Sequence, residues 1–71
     1  LVSEYMMNAL RLPDGFELRD FTARTGLAAI VLDRPLRSLL EKKLLSLEDS
    51  RITTTALGRR YLDSVVAEFL D

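Results

Sequence analysis

The spacing of apolar residues between positions 44 and 54 constrains the fold of this chain more than any other feature. Apolar and polar side chains alternate through residues 44–48 and again through 51–54, which is the period of a β-strand. Asp49 and Ser50 lie between the two runs and are typical of a tight turn. The pattern predicts a two-stranded hairpin, which must pack on helices because an isolated hairpin is marginally stable. Its alternating positions are Leu45, Leu47, Ile52 and Thr54.

Three segments before the hairpin have the apolar spacing of helices. The first covers residues 2–11 and ends at the turn sequence of residues 13–15, Pro-Asp-Gly. A short second helix is predicted from Glu17 to Arg24, and Gly26 supplies the left-handed residue that ends it. The third begins around Pro35, with Asp33 as a possible cap, and ends near Lys43. The expected inward-facing residues are Val2, Met6, Ala9, Leu10, Leu18, Phe21, Leu36, Leu39 and Leu40.

A single final helix is predicted after the hairpin. Thr55 is a good N-cap, and an apolar stripe at helical spacing follows it. Gly58 inside this helix costs about 1 kcal/mol relative to alanine, so we expect another backbone to approach closely there. The order helix, helix, helix, hairpin, helix predicts a mostly α winged-helix domain with a small β-hairpin. The predicted apolar stripe consists of Leu62, Val65, Val66, Phe69 and Leu70.

Composition limits what this chain can do. Its 71 residues suit a single domain spanning residues 1–71, and because Leu1 is not a methionine we expect a C-terminal fragment of a larger protein. The chain has no cysteine and no histidine, which removes a disulfide framework, thiol nucleophiles and the commonest general base. No apolar run is long enough to cross a bilayer, so we expect a cytoplasmic location. We expect no catalysis from this chain itself.

A DNA-binding surface is the main alternative for a winged helix. The third helix would present a mixed set of polar side chains to a major groove, and Arg51 would extend the set on the hairpin. The net charge of −1 and the acidic pair Glu48 and Asp49 at the hairpin tip argue against phosphate contacts. The residues concerned on the helix are Arg34, Arg37, Ser38, Glu41 and Lys42.

The first helix carries the best candidates for contact with a ligand or with another domain. Met6 is expected in the core, whereas Tyr5 and Met7 point elsewhere and could serve as haem ligands or as a contact surface. Arg11 near the helix end can interact with the helix dipole or contribute to the same surface. A protein–protein adaptor is a further alternative. It predicts an exposed apolar patch, as contact with another domain does, so the sequence does not distinguish the two functions.

Four segments in order carry a resemblance to one family. Residues 4–12, EYMMNALRL, are similar to an "EFxMNxxRL" start, and residues 21–27, FTARTGL, are similar to an "F..RTGL" turn. Residues 39–45 resemble an "L...GLL" segment, and residues 55–70 resemble a "T..G...L.S.....FL" ending. On these segments the chain resembles the HemN-type C-terminal domain of oxygen-independent coproporphyrinogen III oxidase-like radical SAM proteins. The last run, GRRYLDSVVAEFL, is most similar to the HemW haem-chaperone branch.

The resemblance implies a parent protein whose N-terminal radical SAM barrel holds a 4Fe-4S cluster and S-adenosylmethionine, and in some members haem. The oxidase branch decarboxylates propionates of coproporphyrinogen, and the chaperone branch passes haem to acceptor proteins. No catalytic, metal-binding or cofactor-binding residue of the family lies in this chain, so the resemblance implies an accessory domain that packs on the barrel and helps to form a tetrapyrrole site. Tyr5, Met7 and Arg11 are the expected contacts. Lys43 replaces a helix-ending glycine, which predicts either a strained backbone or a different helix end. Thr54 replaces an apolar strand residue, which predicts a local departure from the family's geometry.

Overall fold

The computed structural model describes residues 1–70, and they form a mostly helical domain with a small antiparallel sheet. Predicted helices appear near their expected positions, although the first helix ends two residues early and the third begins at Asp33. Asp33 is therefore not the cap, because Leu32 occupies that position. The elements are α1 (Val2–Ala9), β1 (Phe16–Glu17), α2 (Leu18–Thr25), a 3-10 helix (Ala29–Leu32), α3 (Asp33–Glu41), β2 (Leu45–Glu48), β3 (Arg51–Thr54), α4 (Ala56–Arg60) and α5 (Leu62–Ala67).

The sheet has three strands in the order β1-β3-β2. The hairpin of β2 and β3 confirms the prediction from residues 44–54, and its two turn residues, Asp49 and Ser50, have φ angles of 50° and 68°. Positive φ at both central residues matches the twist that a two-residue hairpin turn requires. Strand β1 was not predicted, because Phe16 and Glu17 are too short a run to show a period. Its pairing with β3 brings the segment after α1 onto the sheet.

The core lies between the helices and one face of the sheet. The apolar spacing predicted several core positions that the structure confirms. At most 1% of the residue surface is exposed at Phe21, Leu39, Ile52 and Val65. Leu47 alternates in β2 as predicted, but its side chain is 51% exposed and does not join the core. Leu47 lies near the turn of the hairpin, where it borders a surface cavity instead of the core. The other buried core residues are Met6, Ala9, Leu10, Phe16, Leu32, Leu36, Leu45 and Phe69.

The final helix is interrupted, which corrects the prediction of one continuous element. Tyr61 has φ −114° and ψ 39°, outside the helical region, and separates α4 from α5. Gly58 packs α4 against the backbone of Leu44, whereas α5 packs on α1, so the two pieces have different neighbours. Leu70 lies beyond α5 and is 68% exposed, so it is not part of the apolar stripe. The expected close approach at Gly58 is confirmed.

The structure shows what the two departures from the family pattern, Lys43 and Thr54, do locally. Lys43 follows α3 with a φ angle of 62°, a left-handed conformation that favours glycine. Thr54 is 8% exposed, and its hydroxyl is buried without a hydrogen-bond partner within residues 1–70. Both residues are near the base of the hairpin, where Thr55 caps α4 by accepting a hydrogen bond from the Gly58 N–H at 3.0 Å.

Candidate functional site

Helix α1 distributes the three candidate residues over two different grooves. Tyr5 and Met7 are two positions apart, which turns their side chains about 200° around the helix axis. Tyr5 therefore lines a groove that α1 shares with β1 and α2, which we call the Tyr5 groove. Met7 and Arg11 line a second groove with α5, which we call the Met7 groove. The structure brings Met7 and Arg11 together and separates both from Tyr5.

The Tyr5 groove is built around a fixed aromatic ring. The Tyr5 ring meets Phe16 edge-on with centroids 5.6 Å apart, and meets Phe21 in the same way at 5.2 Å. Edge-to-face pairs add stability beyond the area they bury, so these contacts hold the tyrosine in one orientation. The groove has a volume of about 390 Å³, and Leu12 forms part of its apolar wall. Its polar lining comes from Asn8 on α1 and from two residues of α2, Asp20 and Arg24.

The charges of α2 act on the Tyr5 hydroxyl. Burial raises the pKa of Tyr5 above 10.0, the Asp20 carboxylate raises this pKa further, and the Arg24 guanidinium opposes the rise. Within residues 1–70, none of these three side chains makes a side-chain hydrogen bond or ion pair. The Asn8 amide donates to the backbone carbonyl of Glu4 at 3.2 Å, which leaves its side-chain oxygen available. The groove therefore combines an apolar wall with several unused polar groups.

The Met7 groove is smaller and more apolar. Met7 is 47% exposed and lies near Val66 and Leu70 in a cavity of about 250 Å³. Arg11 and Asp63 are its charged residues. Because α1 ends at Ala9, Arg11 lies two residues beyond the helix and not within its last turn.

Neither groove has the ligands of a metal or cluster site. Across the part of the chain that the structure describes, no group of three His, Cys, Asp or Glu side chains is close enough to hold a metal ion. The chain has no cysteine and cannot supply the thiolates that an iron–sulfur cluster requires. Tyr5 and Met7 do not share a site and cannot be a pair of axial haem ligands, while Met6 is fully buried as expected.

The cations proposed for DNA contact are largely paired with acids. Arg37 binds Asp33 at 2.8 Å, and Lys42 binds Glu68 at 3.8 Å. Arg51 binds Glu17 at 2.9 Å and also donates to the backbone carbonyl of Asp14 at 3.0 Å. A phosphate would have to compete with these carboxylates. The pairing reduces the positive charge that this face offers to a nucleic acid.

Three polar residues of the Tyr5 groove were not predicted from the sequence. Asn8, Asp20 and Arg24 were not singled out because their proximity to Tyr5 depends on β1 and on the packing of α2 against α1. One local signal was available, since Asp20 and Arg24 are four residues apart and must lie on the same face of a helix. That spacing shows a shared face but not what the face lies against.

Comparison with protein families identifies the class of this domain. Residues 1–61 match the family model of the HemN C-terminal domain. The chain therefore belongs to the HemN C-terminal domain family, which confirms the family resemblance of its sequence segments at the level of the domain. No curated protein and no solved structure matches the chain. Within residues 1–70, no helix has the length and apolar character needed to cross a membrane.

Proposed function

We propose that this chain is a non-catalytic accessory domain of a coproporphyrinogen III oxidase-like radical SAM protein. The observation that supports the proposal is the match of residues 1–61 to the HemN C-terminal domain. In this function the domain packs on the barrel of its parent and supplies binding surface to a porphyrin or haem site. The absence of cysteine and histidine from the chain agrees with a contribution through surface contacts instead of reactive groups.

The parent carries the chemistry in this proposal. Its radical SAM barrel holds the 4Fe-4S cluster and S-adenosylmethionine, and the parent acts in the cytoplasm either as an oxidase or as a haem chaperone. We favour the HemW branch because of the resemblance of residues 58–70, GRRYLDSVVAEFL. A winged-helix arrangement is the proposed fold type, supported by three helices that precede a hairpin and by the pairing of β1 with that hairpin.

The candidate contacts are Tyr5, Met7 and Arg11, and their two grooves allow separate tests. In the full-length parent, Met7→Ala with Arg11→Ala changes the Met7 groove and not the Tyr5 groove. Tyr5→Phe removes the hydroxyl from the Tyr5 groove and keeps the ring contacts with Phe16 and Phe21. The measurements are haem affinity from the Soret absorbance and domain docking from limited proteolysis. We expect at least one of these variants to weaken haem binding or docking. Unchanged haem affinity and unchanged docking in both would reject the proposed function.

A further inference from the structure

We propose that the Tyr5 groove is the surface through which this domain contacts the rest of its HemN-like protein, and that it receives a loop presenting an apolar side chain between a basic group and a carboxylate. The inference rests on the proposed function, because it assigns the contact surface of the accessory domain.

The first support is an unused pair of opposite charges. Asp20 and Arg24 are four residues apart on α2 and both line the groove, but they form no ion pair with each other. Asp33 and Arg37 have the same spacing on α3 and do pair, at 2.8 Å. The comparison shows that helical spacing alone does not force the α2 pair together. The carboxylate and guanidinium of α2 remain available to a partner with the complementary charges.

The second support is the rigidity of Tyr5. Its ring is held edge-on by Phe16 and Phe21, so little side-chain entropy is lost when a partner covers it. Tyrosine and arginine are also among the residue types that most often dominate binding energy at protein interfaces. The Tyr5 hydroxyl is partly desolvated and has no hydrogen-bond partner within residues 1–70. It can therefore donate to a carbonyl of the incoming loop.

The third support is the shape of the groove between these polar groups. Leu12 is 56% exposed and forms an apolar wall together with Phe16. A volume of about 390 Å³ has room for one large apolar side chain with its flanking backbone. A basic group of the loop then meets Asp20, and a carboxylate meets Arg24. The Met7 groove is smaller, and its exposed wall is formed by a flexible methionine and Leu70 without a fixed aromatic ring.

Hydroxyl-radical footprinting tests the assignment, because the reactive side chains Tyr5, Met7 and Tyr61 report on three separate places. Each is partly exposed in this chain. Labelling is compared between the full-length HemN-like protein and the 71-residue chain alone, whose folded state is first checked by circular dichroism. We expect Tyr5 and Leu12 to be labelled severalfold more slowly in the full-length protein, while labelling of Met7 and Tyr61 is unchanged.

Charge-reversal variants of the full-length protein complete the test. Arg24→Glu and Asp20→Lys should each restore Tyr5 labelling by weakening docking about tenfold or more, equivalent to about 1.4 kcal/mol. Arg37→Glu on α3 is the matched control and should leave labelling unchanged. Circular dichroism checks that each variant is folded, which we expect because Asp20 and Arg24 are exposed. Protection of Met7 instead of Tyr5, or insensitivity to both α2 variants, would overturn the inference and leave the proposed function standing. Equal labelling of every side chain in the two proteins would reject the proposed function itself.

Discussion

Gly58 of α4 lies directly against the backbone carbonyl of Leu44, and a Cβ atom at position 58 would overlap the carbonyl oxygen. Because the obstacle is backbone, it cannot move aside as a flexible side chain would. We expect Gly58→Ala to lower the free energy of unfolding by about 1–3 kcal/mol, despite the higher helix propensity of alanine. Urea denaturation measures the change.

Gly26→Ala is the informative comparison for that variant. Gly26 has a φ angle of 77° but nothing lies within 4 Å of an added Cβ, so only backbone strain of about 1–2 kcal/mol is expected. A stabilised Gly58→Ala protein would show that α4 does not sit on the hairpin base as described.

Lys43→Gly should stabilise the domain. Lys43 has a left-handed backbone with a φ angle of 62°, and glycine adopts that conformation without a Cβ penalty. The expected gain in the free energy of unfolding is about 1 kcal/mol, reduced by the greater freedom of glycine in the unfolded chain. Thermal denaturation measures it. Lys42→Gly is the neighbouring control and should destabilise, because Lys42 has a right-handed φ of −78°.

Thr54→Val should also stabilise the domain. The Thr54 hydroxyl is buried and has no hydrogen-bond partner within the described residues, so its desolvation is not compensated. Replacing it with a methyl group of similar size should raise the free energy of unfolding by about 1–2 kcal/mol. Thr53→Val, at the more exposed neighbouring position, should change stability less. A loss of stability in Thr54→Val would indicate that the hydroxyl does have a partner in solution.

The raised pKa of Tyr5 predicts a change of stability at alkaline pH. The folded state holds the phenol proton more tightly than the unfolded state, mainly because of burial and then because of Asp20. The stabilisation that results from this pKa shift is fully present below the unfolded pKa of 10.0. It is lost as the pH rises through the pKa of Tyr5 in the folded state. Tyr5→Phe should therefore lose less stability than the unmodified chain between about pH 9 and 11. Urea denaturation across this range, with Tyr61→Phe as the control, measures the difference.

The DNA-binding alternative predicts that affinity for a duplex falls steeply as the salt concentration rises. We expect no measurable binding to a duplex even at low salt. Three of its cations, Arg37, Lys42 and Arg51, already form ion pairs with carboxylates. Fluorescence anisotropy with a labelled duplex at low and high salt provides the measurement. Tight binding at low salt that weakens in Arg34→Gln would restore the alternative.

Local signals in the sequence were sufficient for much of the fold. Gly26 ends α2 in the left-handed conformation, Thr55 caps α4, and residues 44–54 form the hairpin, because each depends on neighbouring residues alone. Strand β1 and the break at Tyr61 were missed because they depend on partners distant in the chain. The same limit applies to the site. Helical spacing separates Tyr5 from Met7, but only tertiary packing brings α2 to Tyr5.

The Thr55 hydroxyl helps to close the base of the hairpin, beside the backbone hydrogen bond that the Thr55 N–H donates to the Leu44 carbonyl at 3.2 Å. Thr55 Oγ1 donates to the Lys43 carbonyl at 2.7 Å and accepts from the Gly58 N–H at 3.0 Å. The hydrogen bond between Thr55 and Lys43 joins the two ends of the hairpin. The distance between these ends therefore does not depend on the length of the turn. Lengthening the turn at Asp49 and Ser50 adds only a slowly growing loop entropy. The tip is thus a place where relatives can gain or lose residues, or where a reporter peptide can be inserted, without moving the helices.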